Sequence, residues 1–280
     1  MSNLKIIFVC PRDNHQLKTA RSLTLGMQKH GITNIRLVQA YDPEKMEADL
    51  VACWAWRPDR GGRHWAAMRT AQKSRGGHCM IMERAYVGER HTWVSLGYDG
   101  LNGHADFCNS DVNSLARFNR HFKNELQPWR EGGHKVLIAG QCKGDASIVH
   151  VDIERWYERM VTTLKEAGHE VVFRDHPLNK SPWRGPCKFD KSATFQEALT
   201  DVKCVVTFNS NAGVLATLAG IPTITSDPGS MAYSITKHNL EDLNYRPDRS
   251  LWAARLAYTQ WLPEELENGT AWEHLKRKFD

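Results

Sequence analysis

Short apolar runs alternate with segments of helical period along the whole chain. Lys5-Ile-Ile-Phe-Val-Cys10, rich in β-branched and aromatic residues and closed by Pro11, reads as a buried first strand. From about His15 to His30, Leu17, Ala20, Leu23, Leu25 and Met27 recur as on an amphipathic helix, and Gly31 supplies a stop. Ile35–Ala40 and Asp49–Trp56 read as two more strands, a helix follows from about Arg63 to Lys73, and Cys79–Glu83 reads as the next strand. Strands alternating with helices call for a parallel sheet covered on both faces. Tyr86–Asp106, with four glycines among aromatic and charged residues, reads as loops around one short strand near Trp93-Val-Ser-Leu, before a helix from about Val112 to Phe122.

Gln127-Pro-Trp-Arg-Glu-Gly-Gly-His134 carries no period and reads as a linker. The alternation then restarts with Lys135–Gly140 as a strand. Ile153, Trp156, Tyr157, Met160, Val161 and Leu164 share one helix face, closed by Gly168. Strand Glu170–Arg174 comes next, then a short helix opened by the capping-box spacing of Thr194 and Glu197. Strand Val202–Phe208, helix Ala212–Ala219 with Gly220 behind it, and strand Pro222–Thr225 complete the second series. Helices near 250–261 and 263–278 finish the chain. Two successive α/β halves without an internal repeat imply two nucleotide-binding-type domains facing each other across a cleft.

Composition narrows the class. The 280 residues, with 41% hydrophobic and 25% charged positions, are enough for two ordinary domains and too apolar for a disordered chain. The apolar runs have strand length, so no membrane span is expected, and Met-Ser-Asn-Leu-Lys runs straight into a strand, so a cytoplasmic protein is expected. Seven cysteines form no Cys-x-x-Cys pair and read as reduced, mostly core thiols, which leaves no doublet for structural zinc. The net charge of +5 would assist binding to a polyanion, but the excess is modest.

Two strand ends concentrate chemistry in the second half: Arg174-Asp-His-Pro177, and Thr207-Phe-Asn-Ser-Asn-Ala-Gly213. Ligands of open parallel sheets sit at the carboxyl ends of strands. Ser210 is placed to cap the helix that begins near Ala212, whose free N–H groups suit a phosphate, and His176 could donate to the same phosphate. The bland alternative is an ordinary capping serine and a turn histidine held by Pro177.

The order of these pieces, continued by Gly220-Ile-Pro222 and by Asp227-Pro-Gly-Ser230, resembles the donor-binding domain of GT-B glycosyltransferases. It is most similar to the branch holding capsule polysaccharide transferases and phage DNA-base glycosyltransferases. The match covers about residues 135–235. The resemblance implies an α/β fold of two Rossmann-like domains facing across a cleft: 1–126 for the acceptor, 135–248 for a nucleotide sugar, and 249–280 as helices packing back on the first. It also implies that His176, Ser210, Asn211 and Gly213 meet the donor diphosphate, with Asp227, Gly229 and Ser230 near the base or ribose. Asn209-Ser210-Asn211 stands where the capsule enzymes tend to show paired hydroxyl residues, so Asn209 joins the donor-binding set as a departure from the pattern.

Met82-Glu-Arg-Ala-Tyr-Val-Gly-Glu-Arg90 is similar to the acidic strand-end motif of the capsule transferases, whose catalytic carboxylate sits in that region. Transfer to a hydroxyl needs a base for its proton, so Glu83 is the first candidate, followed by Asp99 and Asp106. Each could equally be a surface or capping carboxylate. Trp54-Ala-Trp-Arg-Pro-Asp-Arg-Gly-Gly-Arg-His-Trp65 and its continuation to Arg75 hold six Lys/Arg against Asp59. Trp56, Arg57, Arg60, Arg63 and Trp65, with Arg84, could track DNA phosphates and stack on a base turned out of the duplex. A solvated helix face beside a basic loop fits the same residues.

Absences prune the rivals. No Asp-x-Asp occurs, so no metal site of the GT-A kind is expected and no divalent metal is needed. Neither a P-loop, a Gly-x-Gly-x-x-Gly after a strand, nor a Gly-x-Ser-x-Gly is present. The resemblance, with the basic aromatic segment, implies transfer of a hexose, glucose from UDP-glucose, to a hydroxymethylated pyrimidine in double-stranded phage DNA, without a resident cofactor and without a membrane partner. The alternatives are a capsule or lipopolysaccharide glycan acceptor, and a non-catalytic nucleotide- or DNA-binding module.

Overall fold

Four apolar residues, Ile6–Val9, make the first strand (β1) of a six-stranded sheet, and none of them is more than 8% exposed. The computed structural model describes residues 3–10, 14–42, 45–55 and 64–280, with the side chains of Asn14, His64 and Trp65 outside that description. The chain divides into two compact units: unit 1 is Met1–Arg117 with Ala254–Asp280, and unit 2 is Phe118–Ala253.

In unit 1, β1 is followed by α1 (Asn14–Lys29), β2 (Ile35–Val38), β3 (Leu50–Trp54), α2 (His64–Ser74), β4 (His78–Arg84) and β5 (Val94–Tyr98), with α3 (Ala116–Phe122) at the crossing to unit 2. The sheet order is β11-β5-β4-β3-β1-β2, where β11 is Gln260–Trp261. β1 to β4 are mutually parallel as the alternation requires, but β5 runs antiparallel to β4 and β11 antiparallel to β5. A parallel return needs a crossover of a dozen or more residues, and the connection from Arg84 to Val94 is too short for one. β11 corrects a second expectation, because it lies inside a stretch that reads as helix.

Alternation along the strands sets two faces. Phe8, Ala52, Met80, Met82, Leu96 and Tyr98 pack with Leu23 and Met27 of α1 and with Leu266, Trp272 and Leu275 of the chain end, where α8 is Pro263–Glu267 and α9 is Thr270–Leu275. α1 and α8 approach so closely that a Cβ on Gly26 would lie 1.9 Å from the Leu266 carbonyl oxygen. Seven free thiols are present: five are buried and those of Cys108 and Cys187 are half-buried. Burial pushes the Cys10 and Cys204 thiols up to about 12.

His274 of α9 ties this end of the chain to pH. Its Nε2 donates to the Phe107 carbonyl at 2.9 Å, and its Nδ1 accepts from the Arg277 guanidinium, so the neutral ring is fully bonded. Burial, helped by Arg277, holds its pKa down from 6.5 to about 4. The unfolded chain therefore takes up this proton first as pH falls. Stability is intact above about 6.5 and drains away toward about pH 4, by about 3 kcal/mol in all. His274→Gln is expected to flatten the loss of urea midpoint between pH 7 and 4.5; an unchanged slope would show that other groups govern it.

Unit 2 contains β6 (Lys135–Ala139), α4 (Ile153–Glu166), β7 (Glu170–Arg174), β8 (Lys188–Phe189), α5 (Phe195–Ala198), β9 (Val202–Thr207), α6 (Ala212–Leu218), β10 (Thr223–Thr225) and the start of α7 (Ser250–Leu256). Its sheet is wholly parallel, in the order β10-β9-β6-β7-β8. The predicted face of α4 is buried but for half-buried Met160, with Trp156 edge-on to Phe208 and Tyr157 edge-on to Phe173 and Trp183. Gly168, at φ +79°, ends α4 as its position in the sequence suggests, with His169 N–H bonding back to Leu164 O. The Thr194 hydroxyl caps α5 by accepting Glu197 N–H, while the Glu197 carboxylate reaches Ala193 N–H rather than that of Thr194.

Residues 127–134 carry no helix or strand but are well tied down. Gln127 N–H and Arg130 N–H donate to Leu218 and Gly220 carbonyls at 2.8 and 2.7 Å. Buried Arg249 stacks 3.9 Å over Trp129 and donates to the carbonyls of Thr217 and Gln127. Among the described residues, no helix is long and apolar enough to cross a membrane.

Candidate functional site

The carboxyl ends of β6, β9 and β10 in unit 2 converge on a closed polar network. Asn209, two residues beyond β9 and 5% exposed, spends both amide hydrogens, on Ser147 O at 2.9 Å and on Asp227 Oδ1 at 2.8 Å. Its Oδ1 accepts from Gln141 Nε2 at 2.6 Å, and its backbone N–H donates to Gln141 Oε1 at 3.1 Å. Gln141 N–H in turn donates to the Tyr157 hydroxyl oxygen at 2.8 Å. Asp227 Oδ1 also accepts Gly229 N–H at 2.8 Å, and His150 Nε2 lies 3.2 Å from Asp227 Oδ2. The bonds among the buried members Asn209, Gln141 and Asp227 make the network rigid, and each strengthens its neighbours in the low local dielectric.

The other sequence candidates of unit 2 surround this network. Ser210 Oγ accepts Ala212 N–H at 3.2 Å and its carbonyl accepts Gly213 N–H at 3.0 Å, which closes the turn into α6. A Cβ on Gly213 would meet the Thr225 and Thr207 methyls at 3.1 and 3.2 Å, so this glycine lets α6 lie close on the sheet. Asn211 immediately precedes α6 and makes no side-chain cap. Ser230 is buried, and its hydroxyl accepts Ala232 N–H. His176 follows β7, which is separated from β9 by β6 and hence by about 10 Å at strand spacing. Its Nδ1 accepts Leu178 N–H at 3.2 Å, so the proton of the neutral ring is on Nε2.

Sequence reasoning passed over Gln141, Ser147, His150, Asp175 and Asn179. Asp175 builds the His-Pro turn by accepting His176 N–H at 2.7 Å and Trp183 N–H at 2.9 Å. Asn179 links that turn to the β6 loop through Gln141 O and Lys143 N–H. The available signal was position: Gln141 and Asp175 each stand one or two residues beyond a strand's carboxyl end.

In unit 1, Glu83 and Arg84 end β4 on opposite faces. The Glu83 carboxylate is half-buried, accepts Arg84 N–H at 2.7 Å and pairs in register with Ser95. Glu83, Ser95, Tyr86 and Asn102 line one narrow pocket, in which the Tyr86 hydroxyl donates to Asn102 Oδ1 at 2.9 Å. Burial pushes the Tyr86 hydroxyl far up, so it remains a protonated donor. The following loop is held by buried Gln260, whose Oε1 accepts from Tyr86 and Val87 N–H at 2.9 and 3.2 Å while its Nε2 donates to Val87 O at 2.7 Å. On the other face, Arg84 Nη1 donates to His15 Nε2 at 2.8 Å and its guanidinium lies 5.5 Å from the Trp54 ring centre.

Asp99 and Asp106 are not brought to Glu83. Asp99 stands beside Cys79, four residues and about 13 Å of strand from Glu83, and Asp106 is bridged to Tyr98, which lies opposite Met80. Asp99 accepts from Cys79 N–H at 2.9 Å and from His78 Nδ1 at 2.8 Å. Asp106 accepts from Lys278 Nζ and Cys108 N–H, both at 2.8 Å. Burial raises the Asp106 pKa, but the Lys278 and Cys108 bonds outweigh it and hold the carboxyl below its ordinary value. Trp56, Arg57, Arg60, Arg63 and the side chain of Trp65 lie outside the described residues. Among the described residues, no group of three His, Cys, Asp or Glu could hold a metal ion.

No protein-family model matches this sequence, and no curated protein matches it by sequence. Among solved structures, the chain is similar to Thermosulfurimonas dismutans KpsC, beta Kdo 2,4 transferase, at 15% identity and a TM-score of 0.60, over 91% of this chain and 90% of that one. It is also similar to the beta Kdo 2,7 transferase of the same organism's KpsC, at 12% identity and a TM-score of 0.59, over 99% of this chain and all of that one. These likenesses establish the fold: two α/β units with mainly parallel sheets, as in GT-B glycosyltransferase structures.

Proposed function

We propose that this chain is a glycosyltransferase that moves a sugar from a nucleotide-sugar donor to a hydroxyl of a glycan acceptor. The observation that carries the reading is the polar network at the carboxyl ends of β6, β9 and β10, where an open parallel sheet binds nucleotides. Likeness along the whole chain to two Kdo transferases supports it. Unit 2 takes the donor, and the His176 Nε2–H and the turn at Ser210 and Asn211 meet its phosphate. Glu83 of unit 1 takes the proton of the acceptor hydroxyl as that oxygen bonds to the anomeric carbon and the nucleotide departs with the electron pair of the broken bond.

The likenesses favour an acidic sugar such as Kdo over glucose as the first donor to test, and a glycan over DNA as the acceptor. The DNA reading rests on Trp56, Arg57, Arg60, Arg63 and Trp65, whose side chains lie outside the described residues, and on Arg84, which bonds His15 beside Trp54. Of that patch's continuation, Arg69 and Lys73 are exposed on α2, and Arg75 donates to Met46 O at 3.3 Å.

The test is a transfer assay with CMP-Kdo, UDP-glucose and a GDP-sugar, each offered Kdo-terminated oligosaccharide and hydroxymethylated duplex DNA. Transfer to the oligosaccharide is expected. Transfer confined to DNA would reinstate the nucleic-acid acceptor, and failure with every pair would overturn the proposal.

A further inference from the structure

Most of the Asp227 carboxylate is engaged inside the network. Oδ1 accepts from Asn209 Nδ2 and from Gly229 N–H, and Oδ2 faces His150 Nε2 at 3.2 Å. The Asp227 side chain is 12% exposed, whereas that of His150 is 52% exposed. The group this corner of the network offers outward is therefore the histidine ring.

His150 is also held in place. Asp145 organises the turn before it by accepting Ser147 N–H at 2.9 Å and the Ser147 hydroxyl at 2.7 Å. Ile148 anchors that turn in the core at 4% exposure, and Asn209 fixes the Ser147 carbonyl. The ring itself rests 5.8 Å from that of Phe208. With Nε2–H committed to Asp227, Nδ1 is the free ring nitrogen, and no side chain or backbone group among the described residues bonds it.

We propose that His150, oriented by Asp227, binds a phosphate of the nucleotide donor through Nδ1. With Asp227 on Nε2 and a phosphate oxygen on Nδ1, the ring spans two anionic oxygens, and an N–H···O⁻ bond is charge-assisted, about twice as strong as a neutral one. As the bond to the sugar breaks, negative charge builds on the phosphate and this bond strengthens, so His150 assists the departing nucleotide as well as holding it. Asp227 is a positioning residue: it acts through the ring and touches no ligand.

This rests on unit 2 being the nucleotide-binding unit, and the test separates the two claims. Titration calorimetry on the full chain uses cytidine 5′-monophosphate and uridine 5′-diphosphate, each beside its bare nucleoside. His150→Gln is expected to weaken the bound nucleotide at least tenfold and to leave the nucleoside within twofold. Asp227→Asn is expected to act in the same direction, and an unchanged circular dichroism spectrum of His150→Gln guards against misfolding. Nucleotide affinity unchanged in His150→Gln, or an equal loss for nucleotide and nucleoside, would overturn the role of His150. Wild-type protein that binds neither nucleotide would strike the donor reading itself.

Discussion

Glu83→Gln is expected to lower kcat by about a hundredfold to ten-thousandfold, the usual contribution of a positioned general base. The substitution is nearly isosteric, and the amide oxygen it introduces can still accept the Arg84 N–H that the carboxylate accepts at 2.7 Å. Gln260 continues to hold Tyr86 and Val87, so the strand end keeps its shape. What is lost is the ability to take a proton. Donor affinity, a property of unit 2 in this reading, is expected to stay within about twofold, which places the loss in kcat and not in KM for the donor. Asp99→Asn and Asp106→Asn provide the contrast, because their oxygens are engaged with His78, Cys79, Cys108 and Lys278 at the far end of β4. Turnover of Glu83→Gln within a few fold of wild type would remove it from the chemistry, and a large loss in Asp99→Asn or Asp106→Asn would move the base there.

Most of unit 2 was legible because its elements are set by local signals. The α4 face, the Gly168 stop, the Thr194 cap and the β-branched strands each depend on residues a few positions apart. In unit 1 the same signals locate β1 to β4 but miss the sense of β5 and the existence of β11. Those depend on the length of the connection to β4 and on pairing between Gln260 and Ser95, which are far apart in sequence. The site divides the same way. Asn209 and Asp227 stand out as polar residues at strand ends, yet their bonds to each other and to Gln141 and His150 follow only from the order β10-β9-β6-β7. The resemblance implies that Gly213 meets the donor and brings in Asn209 as a departure from the family pattern. In the fold, Asn209 is consumed by the network, and Gly213 makes room for α6 against Thr207 and Thr225. A motif shows which residues gather at a strand end; burial and partners decide which of them still has an atom to offer.

Glu265→Gln is expected to cost unit 1 about 3–5 kcal/mol, the range for removing one partner of a buried ion pair. Arg117 and Glu265 are 9% and 10% exposed at the side chain and bond through two guanidinium nitrogens. The guanidinium also donates to Ala257 O at 2.7 Å and to Gln260 O at 3.1 Å, and it lies 4.3 and 5.3 Å from the Trp261 and Tyr258 ring centres. Glu265 Oε2 additionally accepts Leu262 N–H at 2.9 Å, which caps α8. This one pair therefore pins β11 and α8 together and sets the strand that presents Gln260 to the loop after Glu83. Neutralising the carboxylate would leave a cation among aromatic rings without its counter-charge. The double variant Arg117→Met/Glu265→Leu removes both charges and is expected to recover most of the stability, because such pairs often exchange for apolar packing at little cost. Urea unfolding followed by tryptophan fluorescence reads both effects. A loss below about 1 kcal/mol in Glu265→Gln would mean that the pair behaves as a solvated one. If the double variant recovers stability but remains slow in sugar transfer, the Arg117 bond to Gln260 O also governs how the loop after Glu83 is held.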